Sequence, residues 1–380
     1  MNVLISAGEA SGDQLAARLL AALRRARPDL AAFGMGGARL EAAGLDRVVA
    51  SESLSVVGVS EVFGKAPALR RALSRLGAEA IRRRPDAAVL VDFPDFHGLL
   101  ARRLRRIGVP LVYYVPPQVW AWRRGRAKTI AGSARRVVTL FPFEAELFRS
   151  LGADAVCSGH PLVDDVREGL AGASPLPAKT RRRLVLLPGS RDAELARHWP
   201  AMSEAAATLG RRLDLEVVAV RAPHLPQALF AGAAERGIRV VSGGMHPLLA
   251  SADLALVASG TATLEAALCG APMVVVYRTS ALTYAIARAL VRLPRVSLVN
   301  IVAGEEVVPE LLQGSLTAAN LEHEAEAILS SPERAAAMRA GLARVASSLG
   351  PPGATERAAE AILAALAPAQ RPAPGLRAAR

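Results

Sequence analysis

Aromatic side chains make up only 4% of this 380-residue chain, and it carries two cysteines. So few aromatics argue against stacking platforms for single-stranded nucleic acid, and no reader motif compensates, so no nucleic-acid partner is expected. Cys157 and Cys269 lie far apart in apolar sequence and read as buried free thiols, which fits a reducing cytoplasm. Metal-ligand spacings are missing: neither H-E-x-x-H nor paired C-x-x-C occurs, and no metal is expected. No run approaches the ~18 apolar residues that span a bilayer, and residues 1–7 are too short for the apolar core of a signal peptide. The glycine loop near the N-terminus lacks G-x-G-x-x-G, and no acidic residue is well placed after a second strand. An NAD site is therefore disfavoured and no cofactor is expected.

What is present is apolar and cationic. Hydrophobic residues at 52% rule out a mostly disordered chain, and the length suits two domains of ordinary size. A formal charge of +13 calls for an anionic partner or environment, with nucleic acid, an anionic membrane surface and phosphorylated substrates as the candidates, and part of the excess reflects an Arg-rich composition.

The informative stretch is residues 254–278, LALVASGTATLEAALCGAPMVVVYR. An apolar strand, a turn of small residues (Ser259, Gly260, Thr261, Ala262), a helix carrying Glu265 and a second apolar strand make a βαβ unit. Its loop lies at the carboxyl end of the first strand, where open α/β sheets bind ligands. Small residues let backbone amides approach an anion, and Glu265 is within reach of a ribose diol. A structural crossover with a capping Thr is the simpler account. Residues 183–194 repeat the theme: a strand, then Pro188-Gly189-Ser190-Arg191, where Arg191 could grip a pyrophosphate. The first residues also run strand, small-residue loop, helix, with Glu9, Ser11 and Asp13 in the loop, so both halves begin a doubly wound sheet.

Other chemistry is spread along the chain. Residues 86–92 form a buried strand ending on Asp92, a plausible general base, with Asp95 either an equal candidate or a helix cap. Residues 116–122, PPQVWAW, place Gln118 and Trp120 in a stiff loop suited to a sugar or acyl chains; a packed Ω-loop is the alternative. His160, in a Gly-His-Pro turn, is a base, a phosphate donor or a structural residue. Asn300 bonds phosphate or ribose, or more simply closes a turn. Val56, Val57, Val59, Val62 and Phe63 precede an arginine-rich helix, the composition of an interfacial membrane contact or of core packing with a solvated basic face. The Pro- and Ala-containing stretch 169–180 reads as a linker between residues 1–168 and 181–350, followed by a helix at 351–367 and a disordered basic tail at 368–380.

Taken together, AGEASGD (7–13), DFPDF (92–96), YYVPPQVWAW (113–122), GHPLVD (159–164), LLPGSR (186–191), ASGTATLEAAL (258–268), PMVVVYR (272–278) and VSLVNIVAG (296–304) resemble, in order, the lipid-A-disaccharide synthases. The resemblance implies an α/β GT-B fold, two Rossmann-like doubly wound domains facing a cleft, and inverting transfer of a sugar. The donor it implies is UDP-2,3-diacylglucosamine and the acceptor 2,3-diacylglucosamine 1-phosphate, at the anionic inner-membrane surface of the cytoplasm; a homodimer is compatible with it. Carried over, Asp92 is the base and Ser190, Arg191, Ser259, Gly260, Thr261, Ala262, Glu265 and Asn300 hold the nucleotide. Glu9, Ser11, Asp13, Asp95, Gln118, Trp120 and His160 would line the acceptor side. The rivals are another GT-B UDP-sugar enzyme, such as a peptidoglycan N-acetylglucosaminyltransferase or a UDP-N-acetylglucosamine 2-epimerase, and a basic nucleic-acid-binding protein.

Overall fold

A computed structural model describes residues 1–54, 66–119, 124–173, 179–281, 283–284 and 295–366. The membrane-contact candidates Val56, Val57, Val59, Val62 and Phe63, the loop residue Trp120 and the basic tail lie outside the described residues. The chain falls into two compact units, residues 1–158 with the segment from 355 onward, and residues 159–354.

The first unit is built on a seven-stranded parallel sheet in the order β3-β2-β1-β4-β5-β6-β7. Its strands are β1 (Asn2–Ala7), β2 (Ala31–Gly36), β3 (Asp46–Ala50), β4 (Ala87–Val91), β5 (Leu111–Tyr114), β6 (Arg136–Thr139) and β7 (Ala155–Cys157). The central strands read as unbroken apolar runs because helices cover both faces of a parallel sheet, and every residue of β4 and β5 is buried. The helices are α1 (Ala10–Ala26), α2 (Ala38–Ala42), α3 (Ala66–Arg83), α4 (Pro94–Arg106), α5 (Arg124–Ala131) and α6 (Pro142–Ser150). Strand order reverses between β1 and β4, the switch point at which such sheets open a ligand crevice. Ala7 pairs with Val91, so Gly8 and Asp92 leave the sheet side by side. Only glycine fits at position 8, since a Cβ there would stand 2.1 Å from the Phe93 ring.

The second unit opens with α7 (Leu162–Ala171) and carries a six-stranded parallel sheet in the order β10-β9-β8-β11-β12-β13. The strands are β8 (Arg183–Leu187), β9 (Glu216–Arg221), β10 (Ile238–Ser242), β11 (Leu254–Ala258), β12 (Met273–Tyr277) and β13 (Glu310–Leu312). Helices α8 (Asp192–Arg212), α9 (Met245–Ala250), α10 (Ala262–Leu268), α11 (Leu298–Ala303), α12 (Ala318–Leu329) and α13 (Pro332–Ser348) complete it. Its switch point falls between β8 and β11, joining the two loops that the sequence marks for phosphate.

The division comes at Ser158/Gly159, ahead of the expected end at residue 168. The reason is that α7 packs on α9 and α10, and the Asp164 carboxylate accepts the Gly353 amide at 2.9 Å. The last helix among the described residues, α14 (Ala354–Leu366), belongs to the first unit from Thr355 onward. Arg25 pairs with Glu356 at 2.6 Å, and Arg136 donates to the Ala361 carbonyl at 2.8 Å.

Asp13, expected on the acceptor side, is buried instead and caps α2. Its carboxylate accepts the amides of Gly37 at 2.6 Å, Arg39 at 3.1 Å and Leu40 at 3.3 Å. Those amides open a helix and have no intrahelical partner, so a carboxylate suits them. Asp13→Ala should destabilise the protein by about 2 kcal/mol, read as a lowered denaturation midpoint. An unchanged midpoint would remove the capping role.

Candidate active site

In the first unit, Asp92 follows a wholly buried strand and adopts φ +39°, a left-handed backbone that non-glycine residues rarely take. Strain of this kind persists only where the surroundings fix it, and it clusters at functional sites. Burial, and then the negative charge of Glu9, push the Asp92 carboxyl up to about 6. Glu9 and Ser11 are exposed at the end of β1, and Gln118 is exposed beyond β5. Val115, just after β5, has φ +54°, a real departure for a β-branched residue, and keeps its amide on the Val138 carbonyl at 2.9 Å.

Two sequence candidates for the base have other work. Asp95, exposed in the first turn of α4, is ion-paired with Arg126 of α5. His160 lies in the second unit, not the first. Its Nδ1 accepts the Leu162 amide at 3.1 Å at the start of α7, and burial lowers it to about 4, so the ring is neutral and structural.

In the second unit, the loops after β8, β11 and β12 share the carboxyl edge of the sheet. Arg191 is exposed at the N-terminus of α8 and pairs with Glu194 at 2.6 Å. Glu194 also accepts the Ser190 amide at 3.2 Å. His198, one helical turn beyond Glu194, is buried: Nδ1 donates to the Pro188 carbonyl and Nε2 accepts the Arg278 amide, both at 2.9 Å. One neutral ring therefore ties the β8 loop to the end of β12. Ser259, Gly260 and Thr261 form the β11 loop, Gly260 at φ +153°, and Ala262 begins α10. Glu265, in the first turn of α10, is held by His246 Nε2 at 3.1 Å.

Asn300 was expected to reach phosphate or ribose, and its side chain is spent inside the fold. Nδ2 donates to the Val308 carbonyl and to Glu310 Oε1, both at 2.8 Å, while Oδ1 accepts the amides of Val307 at 2.9 Å and Val308 at 3.1 Å. It shapes the segment whose Val296 carbonyl receives the Ser259 hydroxyl at 3.3 Å. Among the described residues no group of three or more His, Cys, Asp or Glu is arranged to hold a metal ion.

The family model for lipid-A-disaccharide synthetase matches residues 3–363. The lipid-A-disaccharide synthase of Anaeromyxobacter dehalogenans is 45% identical over 370 residues, covering 95% of this chain and 96% of that one. The chain belongs to the lipid-A-disaccharide synthase family. Solved structures carry the same fold at low identity. The calicheamicin glycosyltransferase CalG4 superposes with TM-score 0.64 at 15% identity, over 97% of this chain and 99% of that one. The UDP-GlcNAc 2-epimerase of Neisseria meningitidis, solved with UDP-GlcNAc, gives 0.58 at 11%, over 96% and 99%. These likenesses establish the GT-B fold, and family membership establishes the glycosyltransferase activity of lipid A synthesis.

For this lipid-A-disaccharide synthase family member, sequence reasoning missed His198, His246 and Glu194. A signal existed for His198, which falls at helical spacing after Arg191 and Glu194 and so shares their face. None existed for His246, whose partner lies on another helix.

Burial also lowers His97 to about 3, its Nε2 bonded to Ser6 Oγ at 2.9 Å, and lowers His198. These histidines fold neutral, so the unfolded chain binds more protons below its own value near 6.5. Stability is complete above that pH and should be lost progressively as pH drops below it towards the lowered folded values. Asp92 runs the other way: its raised pKa removes stability as pH climbs to about 6. Asp92→Asn should therefore raise the thermal midpoint at pH 7.5. Melting curves from pH 7.5 to 4.5 check both; a pH-independent midpoint contradicts the neutral histidines.

Proposed function

We propose that the protein transfers 2,3-diacylglucosamine from its UDP conjugate to the 6-hydroxyl of 2,3-diacylglucosamine 1-phosphate. The products are UDP and the β-1′,6-linked lipid A disaccharide 1-phosphate, formed with inversion and without a metal. The observation that carries this reading is Asp92: a strained carboxylate at the switch point, raised to about 6 and so ionised at neutral pH yet basic enough to take a proton.

In this scheme Asp92 accepts the 6-hydroxyl proton as O6 bonds to the anomeric carbon and the bond from that carbon to the UDP oxygen breaks on the opposite face. Negative charge grows on the leaving diphosphate. Arg191 and the amides around Gly260 and Ala262 supply the compensating charge and dipoles, and Glu265, aimed by His246, accepts ribose hydroxyls. An incoming diphosphate takes Arg191 and the Ser190 amide over from Glu194. Glu9 and Ser11 line the acceptor side, and Glu9 keeps Asp92 basic.

The test is purified protein with both diacylated sugars, read as UDP release and disaccharide formation. Asp92→Asn should cut kcat by about 10²–10⁴-fold with UDP affinity unchanged. The wild-type kcat/KM should decline below pH about 6, and excess chelator should leave turnover intact. Full activity of Asp92→Asn, or turnover of UDP-N-acetylglucosamine in place of the acylated donor, would overturn the reading.

The acceptor and donor are lipids, and the protein works peripherally on the anionic cytoplasmic face of the inner membrane. Among the described residues no helix is long and apolar enough to cross a membrane. Helix α3 carries Arg70, Arg71, Arg75, Arg82 and Arg83, and Ile81, Leu99 and Ile107 are exposed on α3, on α4 and just beyond it. Flotation with vesicles should rise with anionic lipid content and fall when Arg70, Arg71 and Arg75 are changed to Glu. Flotation indifferent to both contradicts the attachment.

A further inference from the structure

The loop Pro188-Gly189-Ser190-Arg191, between β8 and α8, has two of its carbonyls held by histidine rings. Buried His198 donates from Nδ1 to the Pro188 carbonyl at 2.9 Å. His224 Nε2 lies 2.7 Å from the Ser190 carbonyl, and because a carbonyl only accepts, the ring donates there too. Gly189, between the two, takes φ +124°, a backbone that favours glycine.

The consequence falls on the amides. The peptide bonds here are trans, so each N–H points away from the carbonyl oxygen of its own peptide. With the Pro188 and Ser190 oxygens held, the Gly189 and Arg191 N–H groups are turned to the opposite side. Neither donates to a protein group among the described residues. Arg191 also opens α8 without a side-chain cap on the helix. The His224 ring is exposed, but the turn that carries it is fixed. The Arg221 guanidinium donates to the Leu225 carbonyl, the Leu225 amide donates to the Ala222 carbonyl at 3.0 Å, and Leu225 itself is buried.

We propose that His224 is a positioning residue of the donor site: with His198 it fixes the loop carbonyls, so that the Gly189 and Arg191 amides are aimed at the donor diphosphate before it arrives. The proposal rests on the donor reading above and adds to it a residue from the loop after β9.

The experiment is equilibrium titration of the full chain with UDP and with uridine, comparing wild type, His224→Ala and His224→Gln. A Gln side chain carries an N–H at the reach of Nε2 and cannot become cationic. UDP affinity should fall about fivefold in His224→Ala, the worth of one neutral hydrogen bond, and return to the wild-type value in His224→Gln. Uridine has no phosphate to meet the loop, so its affinity should be the same in all three, which also reports an intact fold. Equal UDP affinity in wild type and His224→Ala overturns the positioning role. A loss in His224→Gln as large as in His224→Ala overturns it as well, because the ring would then be a direct cationic contact to phosphate. So does a loss of uridine affinity by the same factor, which would mark a general effect on the fold. Failure of the wild type to bind UDP at all would overturn the donor reading, and the positioning role with it.

Discussion

An ionised carboxylate at the edge of a buried parallel strand is costly, and the first unit is organised so that Asp92 bears that cost. β4 has no solvent-facing side, so the chain can expose a side chain only where the strand ends. There the backbone turns through φ +39°. The neighbouring chain at the switch point delivers Glu9, a second negative charge that holds the proton affinity of Asp92 up. Gly8 has no side chain because the Phe93 ring fills that space, which seats the β4–α4 loop against the end of β1. Burial, strain and like charge each reduce stability, and burial and like charge lift the Asp92 carboxyl to about 6, which suits the general base of the proposed transfer.

In the proposed reaction the second unit would meet the opposite requirement, accommodating the negative charge that develops on the leaving group. It carries loops at the equivalent switch point and two histidine clamps. His198 joins the β8 loop to the end of β12 through both ring nitrogens, and His246 sets Glu265. The His198 ring, neutral by its own hydrogen bonds, ties these loops together without adding a charge beside them. The Glu194–Arg191 pair, by contrast, is mostly exposed on the arginine side and is readily exchanged.

Much of this was legible in the sequence where the cause is local. Apolar runs bounded by small residues gave β8, β11 and β12, and the apolar run within residues 86–92 gave β4, with Asp92 just past its end. Asp13, Asp95, His160 and Asn300 were polar residues in suggestive loops, but their partners come from elsewhere in the fold. Three amides at the start of α2 engage Asp13, Arg126 pairs with Asp95, and the turn before β13 consumes every donor and acceptor of Asn300. Spacing along a chain cannot distinguish a satisfied polar group from an available one; hydrogen-bond accounting can. The unit boundary was misplaced for a related reason, since α7 is amphipathic wherever it docks and only its contacts with α9 and α10 assign it.

The central claim is that Asp92 is a carboxylate with its proton affinity raised by burial and by Glu9. Carbon-13 NMR titration of the Asp92 carboxyl, assigned by its loss in Asp92→Asn, measures this directly. The account predicts a midpoint near 6 that moves down in Glu9→Gln. A midpoint at the ordinary aspartate value near 3.9, indifferent to Glu9, would contradict it.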